Sequence, residues 1–182
     1  MRSPLIDITA DVRTWTVVAG LLLALASGAV MARAAKVPGK RSVPPGKLPG
    51  TVGDMSVTAV LTDWGTDGRR SALRWYGADC LFAIGYGVVL ALSVDAIGAV
   101  LDERAPMWLV DVATAAVLIA AAGALADIIE NTLMMVVIAG FEKRHRIAWF
   151  WAMLGAFFSR VKQLAVTVAA LYIIIAASQL QT

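Results

Sequence analysis

Long apolar runs constrain this chain more than any other feature of its sequence. Residues 15–32, 76–101, 107–140 and 147–178 form four predominantly apolar stretches, each at least about 18 residues long. A water-soluble helical protein cannot hide several such runs, whereas each of them is long enough to cross the hydrocarbon core of a membrane. The sequence therefore predicts an all-α, polytopic membrane helical bundle of about four transmembrane helices.

The third and fourth runs are unusually long. A helix of about 34 residues measures about 51 Å, while the hydrocarbon core is about 30 Å thick. We therefore expect these two helices to tilt, bend or project beyond the membrane. The mean hydropathy of +0.75 and the 16% share of charged residues also favour a lipid environment.

Proline and glycine divide the chain into three predicted parts. Residues 36–50 contain four prolines and three glycines, which excludes a regular helix or a central strand there. We predict an N-terminal transmembrane helix at 1–35, a Pro/Gly-rich basic cytoplasmic loop at 36–68 and a three-helix membrane core at 69–182. Within the loop, residues 55–64 are expected along the membrane interface, and Asp67 is expected to cap the following helix.

The first run has a second interpretation, as a cleaved signal peptide. Ala32, Ala34 and Ala35 offer a small-residue cleavage site behind it. However, the run exceeds the apolar region of about 7 to 15 residues that is typical of such peptides. Asp7 and Asp11 also precede it, where a signal peptide is positively charged. The transmembrane interpretation is therefore preferred.

Lysine and arginine are distributed unevenly around the four runs. Eight of them lie within residues 33–74 and three in the turn at 141–146, against three on the other side. The positive-inside rule therefore predicts an inner-membrane protein with loop 36–75 in the cytoplasm and both termini outside. The same loop would attract anionic lipid headgroups, although a topology signal alone is the simpler interpretation. The headgroup candidates are Arg33, Lys36, Lys40, Arg41 and Lys47.

Charged side chains inside the apolar runs are the features most informative about function. A central Asp, Lys or Arg costs roughly 2.5 to 3.5 kcal/mol even on the cheaper insertion scales, so each needs a compensating partner. Antiparallel helices joined by a short turn place residues that are equidistant from the turn at similar depth. This register brings Asp79 level with Ile129, and it brings Asp127 level with Ser159, one turn from Lys162.

The register predicts one buried polar layer contributed by the second, third and fourth helices. Three acids face two bases in this layer, which leaves one formal negative charge unless an acid is protonated. Asp95 and Asp111 fall level with each other near the outer side, where no base is expected. The predicted members of the layer are Asp79, Tyr86, Asp127, Glu130, Asn131, Ser159, Arg160 and Lys162. Whether the layer only holds the helices in register or forms a functional site stays open.

Motifs of soluble enzymes do not occur in the sequence. It contains no phosphate-binding glycine loop, no paired-histidine zinc motif and no serine in a nucleophile-elbow context. We assign no catalytic residue and expect no cofactor and no nucleic-acid partner. Cys80 is the only cysteine, which excludes an intramolecular disulfide. Metal binding stays open, because oxygen ligands in the layer could hold Mg²⁺, but Lys162 and Arg160 could equally satisfy the acids.

Three groups of residues carry a resemblance that covers roughly the final hundred residues. They are Asp79 with Phe82 and Tyr86, the run Ala126-Asp127-Ile128-Ile129-Glu130-Asn131, and Ser159 with Lys162. This pattern resembles a loose family of uncharacterised bacterial four-helix integral membrane proteins with an Ala-Asp-x-x-Glu-Asn motif. The resemblance implies a membrane bundle and no particular activity. The first run and the proline-rich loop lie outside it.

Size and composition favour a non-catalytic membrane component. Four helices leave little protein for a dedicated enzyme pocket, whereas long tilted helices suit lateral partners. We expect an accessory subunit of a larger membrane transport assembly, or a binder of lipid or another small amphiphile, with membrane lipids and a protein partner or homo-oligomer as its contacts. One alternative is a proton- or cation-coupled carrier in which Asp127, Glu130 and Lys162 exchange partners. Another is an enzyme acting on a lipid-phase substrate.

Overall fold

The computed structural model describes residues 4–35, 43–50, 57–101, 107–141 and 147–179. This part of the chain is all-helical and contains no strand, which confirms the all-α prediction. Its elements, in chain order, are α1 (Pro4–Ala34), a short 3-10 helix (Pro45–Gly50), α2 (Val57–Leu101), α3 (Met107–Gly140) and α4 (Ile147–Gln179).

Each of the four long helices contains a stretch that is long and apolar enough to cross a membrane. These stretches are Val12–Ala34, Val57–Val100, Met107–Gly140 and Trp149–Gln179. The unusual lengths predicted for the third and fourth helices are confirmed, because α3 has 34 residues and α4 has 33. The sequence did not indicate that α2, with 45 residues, is the longest helix.

The additional length of α2 comes from a segment that precedes a break at Gly65. Gly65 has φ 59° and ψ −170°, a backbone conformation that is essentially restricted to glycine. The helix runs from Val57 to this break and then resumes. Asp67, which was expected to cap the following helix, lies just behind the break, with a carboxylate oxygen 3.8 Å from the Arg70 guanidinium.

The segment before the break packs against the bundle, and the placement of residues 55–64 along the membrane interface stays a prediction. Val57, Val60, Leu61 and Trp64 are buried. Their spacing places them on one helix face, and that face covers the end of the bundle. They belong to what we call the loop-side cluster. Its other buried members are Leu48, Ala72, Tyr76, Met134, Val137, Ile138, Phe141 and Ala152.

The described part of the proline-rich loop is also packed rather than extended away from the helices. The Tyr76 hydroxyl donates a hydrogen bond to the Pro45 carbonyl oxygen, and the Trp64 indole N–H donates to the Val43 carbonyl oxygen at 3.1 Å. Leu48 is completely buried. The 3-10 helix therefore closes the loop side of the bundle, where it contacts α2 and α4.

Close helix packing depends on small residues where the helices meet. A Cβ atom added to Gly85 would lie 2.7 Å from the Gly20 carbonyl oxygen on α1, and one added to Gly87 would lie 2.5 Å from Ala124 Cβ on α3. Side chains at these positions would push the helices apart. α1 packs against α2, whereas α4 packs against both α3 and α2.

A second apolar cluster lies at the opposite end of the bundle. This far-side cluster consists of Val94, Leu109, Ala116, Tyr172 and Ala176. Along each of α2, α3 and α4, the buried polar residues fall between the far-side cluster and the loop-side cluster. The charged layer is thus enclosed by apolar packing on both sides.

Candidate functional site

Two acids of α3 and one base of α4 form the centre of the charged layer. Asp127 and Glu130 are three residues apart, so their side chains share one face of α3. Lys162 Nζ lies 2.8 Å from Asp127 Oδ1 and 2.8 Å from Glu130 Oε2. The two carboxylate side chains are only 4% and 5% exposed, and the lysine side chain is 22% exposed. The predicted pairing of the third and fourth helices is confirmed.

Asp127 also receives hydrogen bonds from α2 and from its own helix. The Tyr86 hydroxyl donates to Asp127 Oδ2 at 3.0 Å, and Asn131 Nδ2 donates to Asp127 Oδ1 at 3.3 Å. Asp127 therefore joins side chains from three helices, as the hairpin register predicts. Its contacts with Tyr86, Asn131 and Lys162 use most of the hydrogen-bonding capacity of its carboxylate, so the side chain is held in one orientation.

Asp79 and Ser159 extend the layer on either side of this centre. Asp79 is buried within electrostatic reach of Asp127 and Lys162. Ser159 is half-buried near Glu130 and lies three residues before Lys162, on the same face of α4. Seven of the eight residues predicted for the layer are brought together here.

Arg160 is the exception, and its assignment to the buried layer is wrong. Its side chain is exposed, whereas Lys162 points to the acids. Residues two apart on a helix lie on nearly opposite faces, so Arg160 and Lys162 cannot both reach the same partners. The spacing rule that places Ser159 beside Lys162 could have excluded Arg160 from the sequence alone.

The loss of Arg160 changes the charge balance of the layer. Three acids, Asp79, Asp127 and Glu130, now face the single base Lys162 among the residues that the structure describes. The fully ionised layer would carry two formal negative charges instead of the one expected. The structure therefore leaves the layer with an excess of acceptors and negative charge.

The outer acidic pair is also different from the prediction. Asp95 Oδ2 lies 3.2 Å from Arg13 Nη2 on α1, so a base is available where none was expected. Asp111 is exposed. The hairpin register relates only α2 and α3, which are joined by a short turn. It therefore cannot predict a partner from α1. The antiparallel packing of α1 on α2 places Arg13 at the same end of the bundle as Asp95.

The predicted lipid-headgroup residues are only partly covered by the structure. Arg33 and Lys47 are exposed, as a headgroup contact requires. Lys36, Lys40 and Arg41 lie outside the described residues. The Ser71 hydroxyl donates to the Ala34 carbonyl oxygen at 3.1 Å, which fixes the end of α1 next to α2 on the loop side.

A cleft of about 810 Å³ reaches the charged layer between α1 and α4. Its floor is a single face of α2, because the residues that line it recur at spacings of three and four. These α2 residues are Trp75, Asp79, Phe82, Tyr86, Val89, Leu90 and Ser93. The α1 wall is formed by Leu21 and Ala24, and the α4 wall by Lys162, Gln163, Val166 and Thr167, with Asp127 of α3 also contributing.

The cleft was not predicted from the sequence. The stripe on α2 is visible as a helical period, but a stripe does not reveal whether another helix covers it. Leu21, Gln163 and Thr167 are exposed residues with no local signal of a site. The open space exists because α1 and α4 both pack against α2 but do not pack against each other.

No metal centre is recognisable in the described part of the charged layer. Among the described residues, no group of three or more His, Cys, Asp or Glu side chains is arranged to hold a metal ion.

No protein-family model matches the chain, and neither a curated protein nor a solved structure matches it. The geometry of the cleft and of the charged layer is therefore the basis for a functional hypothesis.

Proposed function

We propose that this chain is an integral membrane protein that binds a small amphiphile, such as a lipid, in the cleft between α1 and α4, without catalysing a reaction. The observation that carries the proposal is the cleft itself, which is mostly apolar and ends on charged side chains. An amphiphile has the same combination of an apolar body and a polar end. The volume of the cleft, about 810 Å³, is within the range of about 300 to 1,000 Å³ that is typical of small-molecule sites.

The position of the cleft supports entry from the lipid phase. Leu21 on the α1 wall and Gln163 and Thr167 on the α4 wall are exposed, so the cleft opens at the side of the bundle between the two helices. The flanks of transmembrane helices face acyl chains. A ligand partitioned into the membrane would therefore reach the cleft by lateral movement.

The polarity of the cleft changes along its length. Asp79 and Trp75 lie at the loop-side end, while Leu90 and Val166 line the part toward the far side. At a rise of 1.5 Å per residue, the floor from Trp75 to Ser93 extends over about 27 Å. An elongated molecule would fit with its polar end near Asp79 and its chain along Leu90 and Val166.

Burying the charged layer costs free energy, and holding the helices together does not explain why the chain bears this cost. Burying an ion pair removes both charges from water, and the attraction between them often only offsets this penalty. Ionisable residues within apolar spans are therefore functional candidates by default. A role at the polar end of a ligand site gives a reason for placing Asp127 and Lys162 at the cleft surface.

Orientation and location follow the distribution of positive charge. We propose that the chain resides in the inner membrane with the loop side in the cytoplasm and both termini outside. The exposed Arg33 and Lys47 on the loop side support this placement, because positive residues favour the cytoplasmic face. The broad apolar flanks of the helices also fit an accessory subunit of a larger membrane assembly or a homo-oligomer.

A fill-in variant of the cleft tests the proposed function. Thr167→Trp places a large ring in the cleft. Val168→Trp is the control, because Val168 is nearly isosteric with threonine and is partly exposed but does not line the cleft. After gentle solubilisation, native mass spectrometry should find an amphiphile retained by the wild type and by Val168→Trp, but much less of it by Thr167→Trp. Equal retention by both variants, or none by the wild type, would contradict the proposal.

A proton- or cation-coupled carrier is a second candidate, and one observation favours it. Lys162 lies 2.8 Å from each of two carboxylates, so small shifts would transfer it from one partner to the other. Such an exchange could accompany proton movement. If Glu130→Gln abolishes pH-driven uptake into liposomes while the protein remains folded, the carrier function gains over the simple binder.

A further inference from the structure

We propose that the amphiphile bound in the cleft carries a primary ammonium headgroup, which docks at Asp79 between aromatic side chains. This inference rests on the proposed function and adds the chemical class of the ligand. It depends on the distribution of charge in the layer, on the aromatic residues of the cleft and on one buried acceptor.

The charge of the layer selects a cation. Lys162, the only base at the cleft among the described residues, already lies 2.8 Å from both Asp127 and Glu130. Asp79 lines the cleft and is 8% exposed, and in the described part of the chain it has no ion pair. A ligand ammonium would offset the negative charge that Lys162 leaves uncompensated. An anionic headgroup would instead add to it.

Aromatic side chains flank Asp79 on the same face of α2. Trp75, Phe82 and Tyr86 all line the cleft, four residues before Asp79 and three and seven residues after it. The rings of Phe82 and Tyr86 have centroids 5.5 Å apart and are tilted by 54°. Aromatic faces next to a carboxylate are the combination that recognises ammonium ions, through cation–π attraction and charge pairing.

Asn131 supplies an acceptor that has no partner in the described protein. Its side chain is 1% exposed, and its Oδ1 atom is buried without a hydrogen bond to a described residue. The nitrogen of the same amide donates to Asp127, which lines the cleft together with Asp79. Buried polar atoms are rarely left unpaired. A primary ammonium brings N–H donors to this end of the cleft, whereas a quaternary ammonium brings none, so an unpaired acceptor in the layer favours the primary form.

The remainder of the cleft accommodates the alkyl chain. Beyond Tyr86 its lining is mainly apolar, with Val89, Leu90 and Val166 on the floor and the α4 wall and Leu21 and Ala24 on the α1 wall. The ammonium would therefore lie toward the loop side and the chain toward the far side. An anionic amphiphile that bound to Lys162 with its alkyl chain toward the loop-side cluster would have the opposite orientation in the cleft.

Three probes with the same chain and different headgroups test this inference on the full-length protein. Dodecylamine, dodecanol and dodecanoate are titrated at pH 7 against protein in a neutral maltoside detergent, and occupancy is measured by native mass spectrometry. We expect dodecylamine to bind at least about tenfold tighter than dodecanol, a difference of about 1.4 kcal/mol. Dodecanoate should bind no better than dodecanol.

Variants then locate the preference. Asp79→Asn should bring dodecylamine binding to the level of dodecanol, while Asp111→Asn, which neutralises an exposed acid outside the cleft, should leave the preference unchanged. Circular dichroism and gel filtration verify that both variants are folded. Because the headgroup series uses the wild type, the inference is tested even if Asp79→Asn does not fold.

The outcomes separate this inference from the proposed function. If all three probes bind equally and Thr167→Trp weakens them all, the cleft binds amphiphiles but the ammonium preference is wrong. Tighter binding of dodecanoate would overturn the preference in favour of recognition by Lys162. A dodecylamine preference that survives in folded Asp79→Asn would also overturn it. If no probe binds in a way that Thr167→Trp weakens, the proposed function and the headgroup inference both fail.

Discussion

Two ion-paired sites between helices in the described part of the chain use the same chemistry in opposite surroundings. In the charged layer, Lys162 lies 2.8 Å from two carboxylates that are almost completely buried. At the far side, Arg13 and Asp95 are 3.2 Å apart, but their side chains are 59% and 48% exposed. Similar distances between charged atoms therefore do not imply similar contributions to the free energy of folding. Burial decides how much is lost when one partner is removed, because a buried charge without its partner cannot be compensated by water.

Removing the buried base should have the largest effect. Lys162→Met leaves Asp127 and Glu130 buried without their cation, so we expect a loss of about 3 to 5 kcal/mol of folding free energy. The measurement is a titration of the micelle-bound protein with dodecyl sulfate. Arg160→Met removes an exposed positive charge two residues away and should change stability by no more than about 0.5 kcal/mol. Similar effects of the two substitutions would contradict the assignment of Lys162 rather than Arg160 to the layer.

Separating α1 from α2 should disrupt the exposed pair while leaving the buried one intact. A Cβ at Gly85 would lie 2.7 Å from the Gly20 carbonyl oxygen and 2.9 Å from the Ala24 backbone nitrogen. Gly85→Val should therefore destabilise the protein by about 1 to 3 kcal/mol through overpacking.

Two comparisons make this second prediction specific. Gly77→Val is the control, because a Cβ at Gly77 meets nothing within 4 Å. Crosslinking by a short bis-maleimide between cysteines introduced at Arg13 and Asp95 should fall in Gly85→Val, while crosslinking between cysteines introduced on α3 and α4 should persist. Unchanged crosslinking at Arg13 would show that α1 is not held by the contact at Gly85.

Deleting one hydrogen bond at the centre of the layer should have an intermediate effect. Tyr86→Phe removes the hydroxyl that donates to Asp127 Oδ2 at 3.0 Å. We expect a loss of about 1 kcal/mol, the usual range for such bonds in water and between transmembrane helices. Thr132→Val is the comparison, since the exposed Thr132 hydroxyl bonds to the Ile128 carbonyl oxygen of its own helix. A smaller loss for Tyr86→Phe than for Thr132→Val would argue against Asp127 as the centre of the layer.

The exposed pair should contribute least. Arg13→Gln removes the guanidinium opposite Asp95, and exposed ion pairs typically contribute about 0.2 to 1 kcal/mol. We expect a change of about 0.5 kcal/mol or less in the same dodecyl sulfate titration, with Thr16→Val as a nearby control on α1. A loss comparable with that of Lys162→Met would mean that burial does not distinguish the two sites.

The centre of the layer is predictable from the sequence because local geometry is sufficient there. Asp127 and Glu130 share a helix face, and short turns fix the register of neighbouring helices, so their meeting with Lys162 could be foreseen. The prediction for Arg160 is wrong because distance along the chain fixes the depth of a residue but not its direction around α4. The prediction that Asp95 has no base is wrong because its partner Arg13 comes from a helix separated from α2 by a long loop.

Patterns along the chain determined the helical character of this protein, its four apolar stretches and the acids and base that α3 and α4 share. These follow from helix periodicity and hydropathy, which act between residues close in sequence. Tertiary structure decided the break at Gly65, the packing of the 3-10 helix, the exposure of Arg160 and the cleft between α1 and α4. Each of these depends on which distant surfaces pack together, and contacts between distant segments are set by shape complementarity across the whole bundle rather than by any local pattern.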